Sequence, residues 1–390
     1  MNPSNQARIT WLLDQTQRNG GLAPLDTQSF WADQELAGTD PFGSDIPQVP
    51  LGIMMSGECV YDELGIAEDY WRYNNDIDWQ IELNKAYNDK SQTIVGRRLL
   101  SEQAADPAMQ WPPVKGLADL FESEKTWRSG SWWLQESAHS EEELKALLNR
   151  VDARLNGDLR SFLLPENWEE EKNRLSLLGV PLPRLRGIRG PVTFATSIYG
   201  IERFIYLYED NKPLFLRFRD AILRAVISIA DLLDKEAGDA PHGFWFCDDN
   251  CCLMTPAMYE DFGHPILQAI FNKFSPSPED ARFQHSDSAM GHLLPLLGDL
   301  NLTSVNFGPT VMVDEIRRHM PKTVIHGQLA PFTFSRNNEF GMVAEFLRDF
   351  EMAQEHRGLV FSTAGSINNG SRLTGMRLIM SAIQHFGRYS

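Results

Sequence analysis

The sequence predicts an α/β fold: a TIM (β/α)8 barrel with N-terminal and inter-strand elaborations, or, as second choice, an open doubly wound sheet. Three observations point there. From residue 243 onward, five strand–loop–helix units follow one another at intervals of about 30 residues, which implies a parallel sheet. The loops after those strands carry Asp, His, Asn and Gln, which in a barrel gather at the rim where chemistry sits. Short apolar runs upstream bring the strand count towards eight.

Taken in order, residues 5–19 place Ile9, Leu12 and Leu13 on one helical face. Residues 1–48 form an N-terminal extension, irregular over 20–48. The apolar run 49–55 reads as a first strand, and 60–130 as an elaboration with weak periodicity. Residues 132–135 read as a further strand. A capping box opens at Ser140 and its helix runs to about residue 155. A second elaboration covers 160–185. Residues 189–200 read as a strand with a small-residue mouth, followed by a long helix over 212–236. In the regular half, strands over 243–246, 282–286, 302–307, 323–326 and 359–362 alternate with helices over 255–274, 290–297, 313–319, 341–355 and 376–386. Thr255-Pro256 is an N-cap with proline at the first helical position. The whole chain, 1–390, reads as one barrel domain.

Bulk properties narrow the function. The net charge is −17, from 36 basic and 53 acidic residues, which excludes the basic footprint of a nucleic-acid binder. No run of about 18 apolar residues occurs, so no membrane span is expected. The N-terminus lacks the basic-then-apolar layout of a signal peptide. Three of the four cysteines, Cys247, Cys251 and Cys252, crowd together, which is poor spacing for a disulfide framework; a cytoplasmic setting is expected. P-loop, GxGxxG, GxSxG and HExxH patterns are absent.

Chemistry is expected at the strand ends. His285 and Asp287, spaced i and i+2, converge on one target at the turn past a strand. With Asp249 they form the candidate catalytic group, and the same pair are candidate metal ligands. Asp248, Asn306, His326, Gln328, Ser366, Asn368, Trp245 and Arg189 are candidate substrate contacts. Structural alternatives stand beside these roles. Asp248-Asp249-Asn250 is also turn composition, Asp287 is placed to cap a helix from about residue 289, and His326 also suits a packed core. Trp245 and the cysteines also suit buried packing.

The motifs, in order, resemble a known family. They are Arg-Gly-Pro-Val-Thr-Phe-Ala (189–195), Phe-Cys-Asp-Asp-Asn (246–250), Gln-His-Ser-Asp-Ser (284–288), Val-Asn-Phe-Gly-Pro (305–309), His-Gly-Gln-Leu-Ala-Pro (326–331) and Ala-Gly-Ser-Ile-Asn (364–368). The sequence resembles the uroporphyrinogen decarboxylase superfamily, over roughly 180–390 and faintly over 45–65. That resemblance implies a TIM barrel, and either haem-pathway decarboxylation or corrinoid-dependent methyl transfer. The decarboxylase's arginine-rich motif is missing before residue 60, and its Gly-His-Gly-Ile loop is here Ala-Gly-Ser-Ile (364–367). The methyltransferases bind zinc through His-x-Cys and a late Cys. Here the first becomes His285-Ser-Asp287 and the second falls at Ala364-Gly365. The resemblance therefore implies transfer of a methyl group between a small methylated substrate and a corrinoid carried by a partner protein. It also implies a zinc site without its cysteine ligands, and a homodimer. A decarboxylase or other lyase of a small acid, and a non-catalytic small-molecule-binding barrel, are the alternatives.

Overall fold

The computed structural model describes residues 2–389. Two compact units emerge: Met1–Ala104 with Ser286–Leu294 and Thr303–Ser390, and Ala105–His285 with Pro295–Leu302. The division falls inside one strand, between His285 and Ser286.

Eight strands are present among the described residues. β1 (Lys125–Arg128) and β2 (Ser131–Leu134) form an antiparallel hairpin. β3 (Gly187–Arg189), β4 (Phe244–Cys247), β5 (Arg282–Ser286), β6 (Ser304–Phe307), β7 (Val324–Leu329) and β8 (Leu359–Thr363) form a six-stranded sheet in sequence order. The pairings β3–β4, β4–β5, β6–β7 and β7–β8 are parallel. A doubly wound sheet reverses its strand order at a switch point. This order has no reversal, which is the succession of a barrel.

In the unit holding β3 to β5, the register sets two rungs on one face. Gly187, Trp245 and Phe283 lie abreast, and one step on, Arg189, Cys247 and His285. Phe244 and Phe246 alternate to the other face and are buried. The helix Lys212–Ala237 buries Phe215, Phe218, Ile222, Val226 and Ile229 on one stripe. Its start is capped by the Asn211 side chain, and its end by Gly238 at φ 77°.

In the other unit, residues 49–52 run beside β8. Phe361 N–H donates to Pro50 O and Gly52 N–H to Phe361 O, both at 2.8 Å. The strand expected over 49–55 is a single parallel bridge, Leu51 to Phe361. Pro50 lacks a ladder N–H, and a Cβ on Gly52 would lie 2.7 Å from Val360 Cγ1.

Other expectations also change. Residues 132–135 fall largely in β2, in the hairpin rather than the parallel sheet. Its two-residue turn, Ser129 (φ 51°) and Gly130 (φ 76°), has the paired positive φ of a tight hairpin. Of the strand expected over 189–200, only β3 is extended, and Pro191–Tyr199 is a helix. Helices also form at Thr27–Ala37, capped by Asp26, where irregular structure was expected, and at Ile77–Val95, capped by Asp76 and closed by Gly96, within the weakly periodic elaboration. No helix among the described residues is long and apolar enough to cross a membrane.

Arg317 secures the N-terminal ends of β7 and β8. Its buried guanidinium donates to the carbonyls of Met320, Pro321, Thr323, Arg357 and Gly358. Replacing it with Met leaves these carbonyls short of donors. Urea unfolding of Arg317→Met is expected to show a loss of roughly 2–4 kcal/mol with an unchanged slope.

Candidate active site

The site is built outward from Asp248, at the end of β4. Its side chain is fully buried. Thr193 N–H donates to Oδ1 at 2.7 Å and Val192 N–H approaches Oδ2 at 3.4 Å. The carboxylate thus occupies the N-terminus of the helix Pro191–Tyr199, where free N–H groups favour negative charge. Gly190 permits the approach, since a Cβ there would lie 2.1 Å from Asp248 Cβ. Burial raises the Asp248 pKa to about 6, against the lowering effect of these donors. Substrate orientation was expected of Asp248. It is instead the cap that turns residues 191–199 into a helix.

This cap aims the next residue. Asn250 N–H donates to Thr193 Oγ1 at 2.9 Å, and its side chain to Thr196 Oγ1 at 2.8 Å. Between these two anchored neighbours, Asp249 projects with its side chain 40% exposed. Its Oδ1 lies 3.7 Å from Nε2 of His285, which is 17% exposed.

Two residues on, Asp287 is exposed. Glycines surround its position. A Cβ on Gly365 (φ 105°) would lie 2.5 Å from Asp287 Cβ, and one on Gly308 would lie 2.7 Å from Asp287 O. The helical turn beyond begins at Gly291 with Met290 in the capping position, so Asp287 is not its cap. One donor atom each from Asp249, His285 and Asp287 lies within 4.8 Å of the others. A nitrogen and two carboxylates, without sulfur, suit a hard or borderline divalent cation. The residues present therefore fit a metal.

The remaining sequence candidates lie in varied surroundings. Asn306 is 8% exposed; its Nδ2 donates to His326 O (2.6 Å) and Thr363 O (2.9 Å), and its Oδ1 accepts from Gly365 N–H (3.2 Å). It fastens β6 to β7 and β8 and holds the Gly365 loop. Gln328 is fully buried and donates to Gly308 O and Val311 O. Both were expected to line a pocket, and both instead hold backbone. His326 on β7 is partly buried, and burial lowers its pKa. Ser366 is exposed and Asn368 half-buried in the loop after β8. Trp245, 45% exposed, lies over Gly187, where a Cβ would meet its indole. Arg189 lines a cavity of about 780 Å³ with residues of the hairpin, including Lys125 and Leu134. Sequence reasoning missed Thr193, Thr196, Gly308 and Gly365, since their roles depend on approaches between distant segments.

The uroporphyrinogen decarboxylase (URO-D) family profile matches residues 178–386, more than half of the chain. Among solved structures, the chain is similar to a methyltransferase from Methanosarcina mazei. The TM-score is 0.55 at 16% identity, covering 90% of this chain and 98% of that one. That likeness concerns the fold. Comparison with curated proteins gave no match.

Two measurements check this geometry. A folded-state Asp248 pKa of about 6 means that the native state holds this proton more tightly than the unfolded chain does. Stability must then fall as pH rises from about 4 through about 6. Relative to Asp248→Asn, the native protein should lose roughly 2–3 kcal/mol of unfolding free energy between pH 4 and pH 7. Gly365→Ala combines a positive φ with the Asp287 clash and should cost roughly 1–3 kcal/mol. Adding Asp287→Gly should recover the steric part, as a double-mutant cycle in urea will read.

Proposed function

This chain belongs to the uroporphyrinogen decarboxylase family, and we propose that it is a methyltransferase-type enzyme of that superfamily. In this reading it moves a methyl group between a small methylated substrate, a methoxylated compound or quaternary amine, and a corrinoid carried by a partner protein. The observation that carries the reading is the cluster of Asp249, His285 and Asp287. The fold likeness to a methyltransferase supports it.

The chemistry demands help for the leaving heteroatom. When the carbon–heteroatom bond of the donor breaks, its electron pair stays on oxygen or nitrogen. An oxygen leaving group then needs a proton or an electrophile. His285 supplies the proton from Nε2, and Asp249, with Oδ1 at 3.7 Å, faces the imidazole. Asp287 completes the polar wall. A divalent cation held by the three side chains would supply Lewis-acid polarisation of the same heteroatom. Without thiolate ligands, its preference is for oxygen and nitrogen rather than sulfur.

Two assays test this. Protein purified without chelator is expected to hold about one equivalent of divalent metal, lost in His285→Ala. Consumption of cob(I)alamin, followed spectroscopically across methoxylated and quaternary-ammonium donors, should depend on the donor and fall at least about 100-fold in Asp249→Ala and His285→Ala. No transfer with any donor overturns the reading, and carbon dioxide release from a small acid by the same protein replaces it with a decarboxylase.

A further inference from the structure

The unit that carries β3 to β5 holds a cavity of about 780 Å³, a size usual for small-molecule sites. Its wall is mostly apolar: Leu117, Leu134, Leu185, Ile188 and Phe194 line it, with Trp132 at one side. Two cations, Lys125 and Arg189, join that lining.

The charge state of those cations is informative. The chain carries a net −17, and several carboxylates of the same unit are taken up by other arginines. Glu122 pairs with Arg150 and Arg154, Glu136 with Arg203, and Asp234 with Arg186. Neither Lys125 nor Arg189 has a carboxylate partner among the described residues. The Arg189 guanidinium instead lies 5.9 Å from the Trp133 ring centroid, a contact that orients the side chain but leaves its donors free. In an acidic protein, two unpaired cations against an apolar wall match a ligand that brings the missing negative charge and an apolar body.

We propose that this cavity binds an amphipathic monoanion: an aromatic or branched apolar group bearing one carboxylate. The carboxylate meets Lys125 and Arg189 while the apolar body covers Leu134, Leu185 and Phe194. Two cations answer one bidentate carboxylate, and supply too little charge for a polycarboxylate. Arg189 is on the same rung as His285, one strand removed. With strands about 4.8 Å apart, the two backbones are about 10 Å apart, a span that a para-substituted benzoate bridges. The binding claim stands on the cavity alone. Placing the ligand's far end at His285 rests on the methyl-transfer reading, for which a methoxybenzoate is then the substrate class.

Direct binding separates the two claims. The intact protein is titrated with 4-methoxybenzoate, 4-methoxybenzamide and 4-methoxybenzylamine. Calorimetry and the fluorescence of Trp132 and Trp133 provide the readouts. Saturable binding of the benzoate is expected, about tenfold or more tighter than the amide, with the amine weakest. Arg189→Gln and Lys125→Gln should each remove most of that preference while leaving the thermal midpoint unchanged. Leu134→Trp, which fills the cavity, should abolish binding of the benzoate. Equal affinity for benzoate and amide, a preference unaltered in both cation variants, or no saturable binding up to about 10 mM overturns the proposal. Benzoate binding without methyl transfer to cob(I)alamin upholds the cavity's ligand and sinks the methyl-transfer reading instead.

Discussion

One buried carboxylate organises the candidate site at the strand ends of the β3–β5 unit. Asp248 has no exposed surface, and desolvation alone would make its charge costly. The N-terminus of Pro191–Tyr199 makes it tolerable, because backbone donors there lack partners within the helix. The dependence is mutual. The cap makes 191–199 helical, and the helix then supplies Thr193 and Thr196, which hold Asn250. Asp249, fixed between two held neighbours, is left facing His285.

The polar residues at the strand ends divide into two kinds of work. Asn306 and Gln328 look like ligand contacts by composition and position, yet they hold backbone carbonyls of neighbouring loops. Buried amides are costly unless their hydrogen-bonding groups are used; Asn306 uses both its donor and its acceptor across β6, β7 and β8, and Gln328 uses its donor on the Gly308 and Val311 carbonyls. Their effect on chemistry is indirect. They fix the Gly308 and Gly365 segments, and those glycines leave room for Asp287. A loop residue with a side chain at 365 would meet the Asp287 side chain.

The donor set also sets the kind of chemistry. Superfamily resemblance leads one to expect sulfur ligands, which suit soft metals and thiol substrates. Here the cluster offers imidazole and carboxylate, whose affinity is for harder cations and for oxygen or nitrogen leaving groups. The cavity lined by Lys125 and Arg189 brings two cations to a mostly apolar wall. On the proposed function, the two features together suit a substrate with a heteroatom at one end and an anion at the other.

Periodicity by itself determined the α/β class, the five β/α units after residue 243 and the long helix Lys212–Ala237, because burying one face of a strand or helix leaves a regular apolar pattern. It also singled out His285 and Asp287, whose spacing is local to one strand end, and the structure gathers both near Asp249. The helix Pro191–Tyr199 was not legible, because its cap comes from Asp248, more than fifty residues later. The helix Ile77–Val95 was hidden by weak periodicity, although its caps Asp76 and Gly96 were in plain sequence. Only the tertiary structure separated Asp249, which projects, from Asp248, which is buried; two adjacent and chemically identical side chains differ only in what the fold places around them.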